Sequence, residues 1–297
     1  MNPPPRSGLR RTLSKLQLLA RQLVEGLATG LHRSPHKGAS VTFKQHRPYV
    51  PGDEIRRLDW RVFARTDRFY VREYEQETNL TASLLVDLSG SMAYCGANSS
   101  CSKLEYARDL AGLLATTLIQ QQDAVGLVTF DQKIRSLVPA RSRPSHLPVL
   151  QAALAQEIPS GETSIAQVLR ELAPRLGRRR LLILISDCLD EPSSLLKALA
   201  QLRHQQHEII VFQVFDRDEL TFPFQGWTRF ESLEAEGIHL DADPAAIRKT
   251  YLENLARFRA ELSQGCSRHQ VQLCPVITDE PCESALSAHL SRRLLRR

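Results

Sequence analysis

The sequence lacks an apolar run long enough to cross a membrane. A transmembrane helix needs about 18 or more consecutive apolar residues, and the densest apolar run here, Leu181 to Ile185, has only the length of a strand. The proline- and arginine-rich N-terminus also lacks the core of about 7–15 apolar residues found in signal peptides. These two absences predict a cytoplasmic protein with no transmembrane segment.

Motifs for the common catalytic and zinc-binding sites are missing as well. The six cysteines include no C-x-x-C pair and no familiar zinc spacing. The chain has neither the phosphate loop of P-loop ATPases nor the G-x-S-x-G elbow of serine hydrolases. The sequence therefore favours a protein that is not an enzyme, with a metal-dependent hydrolase or phosphatase as the alternative.

Basic residues are concentrated in the first quarter of the chain. The net charge is +6, and residues 1–78 hold 15 Lys or Arg against 8 Asp or Glu, so the remainder is nearly neutral. Such a segment is most simply a solvated face, and no recognisable nucleic-acid-binding motif accompanies it. Binding of this segment to a membrane surface or to nucleic acid is the weaker alternative.

The pattern of apolar residues divides the chain at about residue 80. Residues 1–80 form an N-terminal extension, in which leucines at helical spacing predict an amphipathic helix from Thr12 to Leu31. Residues 81–297 form the main domain. Because about 80 residues with few apolar side chains build a poor core, we expect the extension to fold only against the main domain, and the fragment 81–297 to be destabilised.

Short apolar runs alternate with helical patterns throughout residues 81–297. Capping-box patterns, Ser102 with Glu105 and Ser164 with Gln167, predict the starts of two helices. Further helices are predicted near 145–156, after Pro192, from Asp243 to about Ser263 and at the C-terminus. The predicted strands are Ala82–Val86, Ala124–Phe130, Lys133–Val138, Leu181–Ser186, Glu208–Phe215 and Gln270–Val276. This alternation predicts an α/β fold with a doubly wound, mostly parallel sheet flanked by helices.

Oxygen-bearing side chains follow two of the predicted strands. Asp87 and Asp187 each come directly after an apolar run, and Ser89 and Ser91 follow Asp87 closely. Thr163 lies in a turn that leads into a helix from the same side. Since ligands of open parallel sheets bind beyond the carboxyl ends of the strands, these five oxygen donors predict a site for Mg²⁺ or Mn²⁺. The alternative is structural, with the serines capping the next segment and Asp87 closing a turn.

These five residues resemble the metal-ion-dependent adhesion site of von Willebrand factor A domains. The resemblance covers roughly residues 80–290, and it implies a Rossmann-type fold that binds a protein partner through the ion. An acidic side chain of the partner would complete the shell of the ion. The chain departs from the pattern at Cys188, where such domains often have glycine.

A second resemblance begins upstream, with an Arg-x-Tyr, a Gly-Asp and an Asp-Trp-Arg element, and includes the run Phe215 to Glu219. These elements resemble the signature of the bacterial family known as domain of unknown function fifty-eight. The resemblance implies that the protein acts as an adaptor or chaperone partner of a MoxR-type AAA+ ATPase. The dense charges of this signature form either a structural ion-pair network or a surface for the partner. The signature residues are Arg47, Tyr49, Gly52, Asp53, Arg57, Asp59, Trp60, Arg61 and Arg65.

Overall fold

A computed structural model of the protein describes residues 41–50, 58–76, 80–97, 99–155, 159, 161–177, 179–234, 237–284 and 286. The described residues fall into two compact units, one with residues 41–76 and one with residues 80–286. The predicted helix Thr12–Leu31, most of the predicted C-terminal helix, and Gly52, Asp53 and Arg57 of the signature lie outside the described residues. Within the described ranges, no helix combines the length and the apolar character needed to cross a bilayer.

The smaller unit is a two-stranded antiparallel sheet with one short helix. Strand β1 (Val41–Pro48) pairs with β2 (Tyr70–Gln76), and helix α1 (Trp60–Thr66) lies between them in the chain. Asp59 of the Asp-Trp-Arg element caps this helix, because its carboxylate accepts the backbone N–H of Arg61 at 3.0 Å. The sequence did not predict these elements, since the segment shows no clear periodicity.

The larger unit contains a six-stranded sheet with the order β10-β7-β6-β3-β4-β5. All neighbouring pairs are parallel except β4 and β5, which are antiparallel at one edge. This confirms the predicted doubly wound, mostly parallel sheet. Its strands are β3 (Thr81–Asp87), β4 (Ala124–Phe130), β5 (Ile134–Arg141), β6 (Leu181–Ser186), β7 (Glu208–Phe215) and β10 (Gln272–Ile277).

Helices cover both faces of this sheet. The helices are α2 (Lys103–Gln120), α3 (Leu147–Ala155), α4 (Ile165–Leu172), α5 (Pro192–His204), α6 (Arg217–Thr221) and α7 (Pro244–Arg268). Alternate residues of the central strands, such as Leu85 and Leu184, pack into one cluster with α4, α5 and α7. Their neighbours Leu84 and Ile183 point to the opposite face, where α2 lies, and are equally buried.

The two predicted capping boxes have different outcomes. At the start of α2, the Ser102 hydroxyl accepts the Glu105 N–H and the Glu105 carboxylate accepts the Ser102 N–H, as predicted. At the start of α4 the prediction was wrong, because the Ser164 side chain makes no capping bond. The N–H of Ala166 is instead bound by the Asp190 carboxylate at 3.1 Å, which comes from the loop after β6. One free N–H group at the start of α4 is therefore satisfied by an acceptor that is distant in the sequence, and not by the local serine.

A small hairpin extends from the larger unit between β7 and α7. It consists of β8 (Thr228–Glu231) and β9 (His239–Ala242), which are antiparallel. The Phe230 ring stacks on Phe222 at 5.8 Å and meets Phe224 edge-on at 5.4 Å. The sequence did not predict this hairpin, because its strands are four residues long and mostly exposed.

Candidate metal centre

The candidate centre lies where the strand order of the large sheet reverses. From β3 the chain continues to β4 and β5 on one side, whereas β6, β7 and β10 extend to the other. Asp87 is the last residue of β3, and Asp187 directly follows β6, the parallel neighbour of β3. A crevice forms at such a reversal, at the carboxyl ends of the strands. Both carboxylates are therefore at the position where this fold class binds ligands, and both are buried.

The Asp87 carboxylate is at the centre of the hydrogen bonds in the crevice. One oxygen accepts the Ser89 N–H at 2.9 Å. The other accepts the hydroxyl of Ser186 at 2.5 Å and that of Thr163 at 3.4 Å. The Ser89 and Ser91 hydroxyls lie 3.1 Å apart. The structure thus brings Asp87, Ser89, Ser91 and Thr163 together, and it adds Ser186, which the sequence analysis had treated only as the end of a strand.

The turn that carries Thr163 is tied to the loop after β3. The Gly90 N–H donates to the Gly161 carbonyl at 2.9 Å, and Gly161 has a φ of 74°, which favours glycine. Residues 90–93 form a single 3₁₀ turn after Ser89. These local features tie the loop that carries Ser91 to the turn that carries Thr163.

A buried lysine, which the sequence analysis missed, lies beside Asp187. Lys103, the first residue of α2, has its ammonium 2.8 Å from the Asp187 carboxylate and 2.7 Å from that of Glu219. Burial by itself lowers the pKa of Lys103, but the two carboxylates outweigh it and hold this pKa above its usual value. Lys103 is therefore a fixed positive charge that neutralises one side of the centre.

Negative charge remains in the centre after Lys103 is counted. Burial, together with the charge of Asp187, raises the pKa of Asp87 to about 7. A divalent cation would offset this repulsion, and the donor set of carboxylates and hydroxyls fits a hard ion such as Mg²⁺. In the described part of the chain, no group of three or more His, Cys, Asp or Glu is arranged to hold a metal. A metal at this position would accordingly depend on the hydroxyl oxygens as well as on the two aspartates.

Cys188 has a left-handed backbone conformation, with a φ of 59°. This conformation favours glycine, which gives a physical reason for glycine after the last aspartate of such sites. The Cys188 side chain is fully buried in the hydrophobic cluster under α4 and α5, and its N–H donates to the Ser186 hydroxyl at 2.8 Å. The cysteine thus packs into the core, away from the crevice, and removes no oxygen donor.

A second acidic cluster lies after β7. The Asp216 carboxylate accepts the Gly96 N–H at 2.9 Å and the Ser99 hydroxyl at 2.6 Å, and Asp218 accepts the Ala97 N–H at 3.1 Å. Although burial raises the pKa of Asp216, its hydrogen bonds outweigh burial and lower it. The run Phe215 to Glu219, which is part of the second family resemblance, therefore holds Gly96, Ala97 and Ser99 in place.

The signature residues of the smaller unit have mixed environments. Asp59 is buried as a helix cap, whereas Trp60 on the same turn is 57% exposed, and Arg61 and Arg65 are also exposed. Tyr49 packs edge-on against Phe69, with ring centroids 6.3 Å apart. Arg47 is partly buried. One signature residue thus has a structural role, while Trp60 and the two arginines face solvent.

Comparison with known families identifies the relatives of the chain. The model of the family described as "Protein of unknown function DUF58" matches residues 45–261. The chain belongs to this family. An uncharacterized protein of Mycobacterium bovis and one of Mycobacterium tuberculosis are each 26% identical to it over 266 residues, which is 87% of this chain and 82% of theirs.

Solved structures with a similar arrangement were also found. BatB from Bacteroides thetaiotaomicron is 16% identical with a TM-score of 0.47, and covers 73% of this chain and 99% of its own. An aerotolerance-related membrane protein from Bacteroides fragilis is 17% identical with a TM-score of 0.47, over 73% of this chain and all of its own. The SpRpn10 VWA domain is 11% identical with a TM-score of 0.42, and the match covers 71% of this chain and 94% of that domain. The fold assignment rests on the strand order of the chain itself.

Proposed function

We propose that the chain is a non-catalytic interaction module that binds Mg²⁺ or Mn²⁺ and uses the ion to dock a protein partner. The residues that would hold the ion are Asp87, Ser89, Ser91, Thr163 and Asp187. The observation that carries the proposal is that two buried carboxylates and three hydroxyls meet at the switch point of the sheet. Three neutral ligands leave the ion with a strong pull on a further carboxylate.

The partner that we propose offers an Asp or Glu to the ion. The family resemblance stated from the sequence makes a MoxR-type AAA+ ATPase the first candidate. A groove of about 290 Å³ adjoins Asp187 and is lined in part by Leu189, Phe215 and Phe258. Leu189 is 44% exposed. An apolar residue beside the partner's acid would fit this groove, which favours a protein over a small anion as the ligand.

The two buried histidines of the described residues do not support the hydrolase alternative. The Ser89 hydroxyl contacts the Ser91 hydroxyl, whereas a nucleophilic serine needs a base to accept its proton. The buried His146 bonds the Val125 carbonyl at 3.1 Å, and His207 accepts the Arg180 N–H at 3.2 Å. Both histidines are therefore engaged with backbone groups elsewhere in the sheet.

The first experiment measures Mn²⁺ binding by calorimetry or electron paramagnetic resonance. Wild type should bind one ion, and Asp87→Ala should lose it. Asp279→Asn, which removes a partly exposed carboxylate that pairs with Arg217, is the matched control and should bind as wild type does. Equal binding by wild type and Asp87→Ala would show that the metal assignment is wrong.

The second experiment measures the affinity for the partner at a fixed ionic strength. Ser91→Ala, Thr163→Ala and chelation of wild type should each weaken the complex, whereas the exposed Ser193→Ala should not. Raised salt alone should have a smaller effect than the chelator, because a bond to the ion is screened less than a surface ion pair. Unchanged affinity in all these cases would move the docking surface to the charged segment from Asp53 to Arg65.

A further inference from the structure

Four aromatic rings form a connected row on the smaller unit. Phe63 of α1 stacks on Phe69 at 4.4 Å and meets Trp60 edge-on at 6.1 Å, and Tyr49 contacts Phe69. None of the seven residues of α1 is buried, and Phe69 is exposed like Trp60. Aromatic and arginine side chains are enriched where proteins bind one another. We call these rings the aromatic patch, together with three exposed arginines of the same segment, Arg61, Arg65 and Arg68.

The β8–β9 hairpin has an apolar face that is only half covered. Phe230 pairs with Leu240 across the hairpin, so both side chains lie on one face, which Ile238 shares by alternation. Phe230 packs on other rings of the larger unit, whereas Ile238 and Leu240 are 64% and 57% exposed. Trp227, directly before β8, is 78% exposed. Exposed apolar side chains that are grouped in this way mark a contact surface.

The aromatic patch and the hairpin carry opposite charges. Residues 225–243, which include the hairpin, hold five Asp or Glu and one Arg, a net charge of −4. In the segment with the aromatic patch, three exposed arginines outnumber one exposed aspartate, Asp67, because Asp59 is buried. Opposite charges around apolar centres favour the approach of one surface to the other. The hairpin therefore has both the apolar side chains and the charge that fit the aromatic patch.

We infer that the chain associates with itself, and that the aromatic patch of one copy docks on the β8–β9 hairpin of a second copy. Two different surfaces meet in this contact, so every pair still has one of each to offer and the association continues head to tail. The apolar part consists of a few side chains on each surface, which makes the association weak and dependent on concentration. The contact uses no residue of the candidate metal centre and goes beyond the function proposed above.

Substitutions at the exposed apolar positions of the hairpin should leave its fold intact. The Leu233 carbonyl oxygen lies against Gly90, where a Cβ atom would be only 1.9 Å away. Arg229 pairs with Asp241 across the two strands at 2.8 Å. These contacts and the packing of Phe230 fix the hairpin without the exposed side chains. The hairpin variant, Trp227→Ala with Ile238→Ala, should consequently unfold at the same temperature as wild type.

Analytical ultracentrifugation of the full chain, at concentrations up to about 100 µM, measures the association. Wild type should form species larger than the monomer, in a proportion that rises with concentration. The hairpin variant should associate at least about tenfold more weakly, and so should the patch variant, Trp60→Ala with Arg65→Ala. The control is Leu137→Ala with Val149→Ala, which removes two exposed apolar side chains outside both surfaces. It should associate as wild type does.

An equimolar mixture of the patch variant and the hairpin variant tests whether the contact is head to tail. Each variant keeps the surface that the other has lost, so the mixture should form a one-to-one dimer and nothing larger. A chelator should leave the association of wild type unchanged, whereas raised salt should weaken it. The inference is overturned if wild type stays monomeric throughout this range. It is also overturned if wild type associates but the two variants associate as strongly, or if their mixture forms no dimer.

Discussion

Two acidic clusters at the same end of the sheet have opposite environments. The carboxylates of Asp216 and Asp218 accept the N–H groups of Gly96 and Ala97 and the hydroxyl of Ser99. Asp216 accepts from four donors, because the Asp218 N–H and the Thr278 hydroxyl add to those of Gly96 and Ser99. Asp87 accepts from three, is fully buried, and lies close to a second buried carboxylate, that of Asp187. The pKa of Asp216 is accordingly lowered, whereas that of Asp87 is raised to about 7. Residue type alone does not distinguish these clusters.

The difference shows which acids are structural and which are available to a cation. A carboxylate saturated with donors has its charge already stabilised, so it holds the chain in place. A carboxylate that faces another carboxylate gains from a cation. Lys103 connects the two clusters, because its ammonium binds both Asp187 and Glu219. Glu219 belongs with the second cluster, since it forms the capping box of α6 with Asp216.

Removal of Lys103 should have the largest effect on stability. Lys103→Met leaves the buried Asp187 and Glu219 without their counter-ion, which should lower the free energy of unfolding by about 3–5 kcal/mol at neutral pH. Urea denaturation of metal-free protein measures this. Lys197→Met, on the exposed side of α5, is the control and should change stability by less than about 0.5 kcal/mol. A loss below about 1 kcal/mol for Lys103→Met would mean that the two carboxylates do not depend on it.

Asp216→Ala should have the next largest effect. The substitution leaves the N–H of Gly96 and the hydroxyl of Ser99 without their acceptor, and we expect a loss of about 3 kcal/mol. Thermal or urea unfolding measures it, with Asp279→Ala as a control that removes only a surface ion pair. Asp216→Ala should leave Mn²⁺ binding at Asp87 in place. Loss of metal binding with little loss of stability would reverse the roles assigned to the two clusters.

The ionisation of Asp87 should make the stability of the metal-free protein depend on pH, and this effect is smaller than the two above. The folded pKa of Asp87, about 7, lies above the ordinary value of 3.8, so the folded state takes up a proton more readily than the unfolded state. The stability of metal-free wild type relative to Asp87→Asn should therefore rise as the pH falls from 7 to 5, by up to about 2 kcal/mol. Denaturation of both proteins at several pH values tests this. A difference that does not vary with pH over this range would contradict the raised pKa.

The hydroxyl substitutions should have the smallest effect on stability. Ser91→Ala and Thr163→Ala each remove one hydroxyl oxygen that lines the crevice, and we expect each to change the free energy of unfolding by no more than about 0.5 kcal/mol. Both should nevertheless weaken Mn²⁺ binding. A large loss of stability for either variant would place its hydroxyl with the structural donors, as in the cluster around Asp216.

Much of the fold of the larger unit could be predicted because its signals are local. Strands β4, β6 and β7 have the predicted bounds, since each is a largely apolar run that ends next to polar residues. The prediction for α7 ended near Ser263, whereas the helix continues to Arg268. The stretch includes Gly265, a poor helix former, but this glycine is buried against Leu196, where a Cβ atom would come within 2.2 Å of the leucine side chain. The strands of the smaller unit are long enough but contain no continuous apolar run, and those of the β8–β9 hairpin have only four residues each, so both were missed.

For the candidate site, the sequence by itself determined the ends of two strands and the hydroxyls that follow them. Apolar runs that stop at Asp87 and Asp187, with serines two and four residues after the first, can be recognised from spacing alone. Only the tertiary structure decided which other charges meet these residues. Lys103 lies 84 positions from Asp187 and 116 from Glu219. No local pattern encodes such pairs, because they form only when the helices and the hairpin pack at the carboxyl end of the sheet, where burial makes each charge depend on its neighbours.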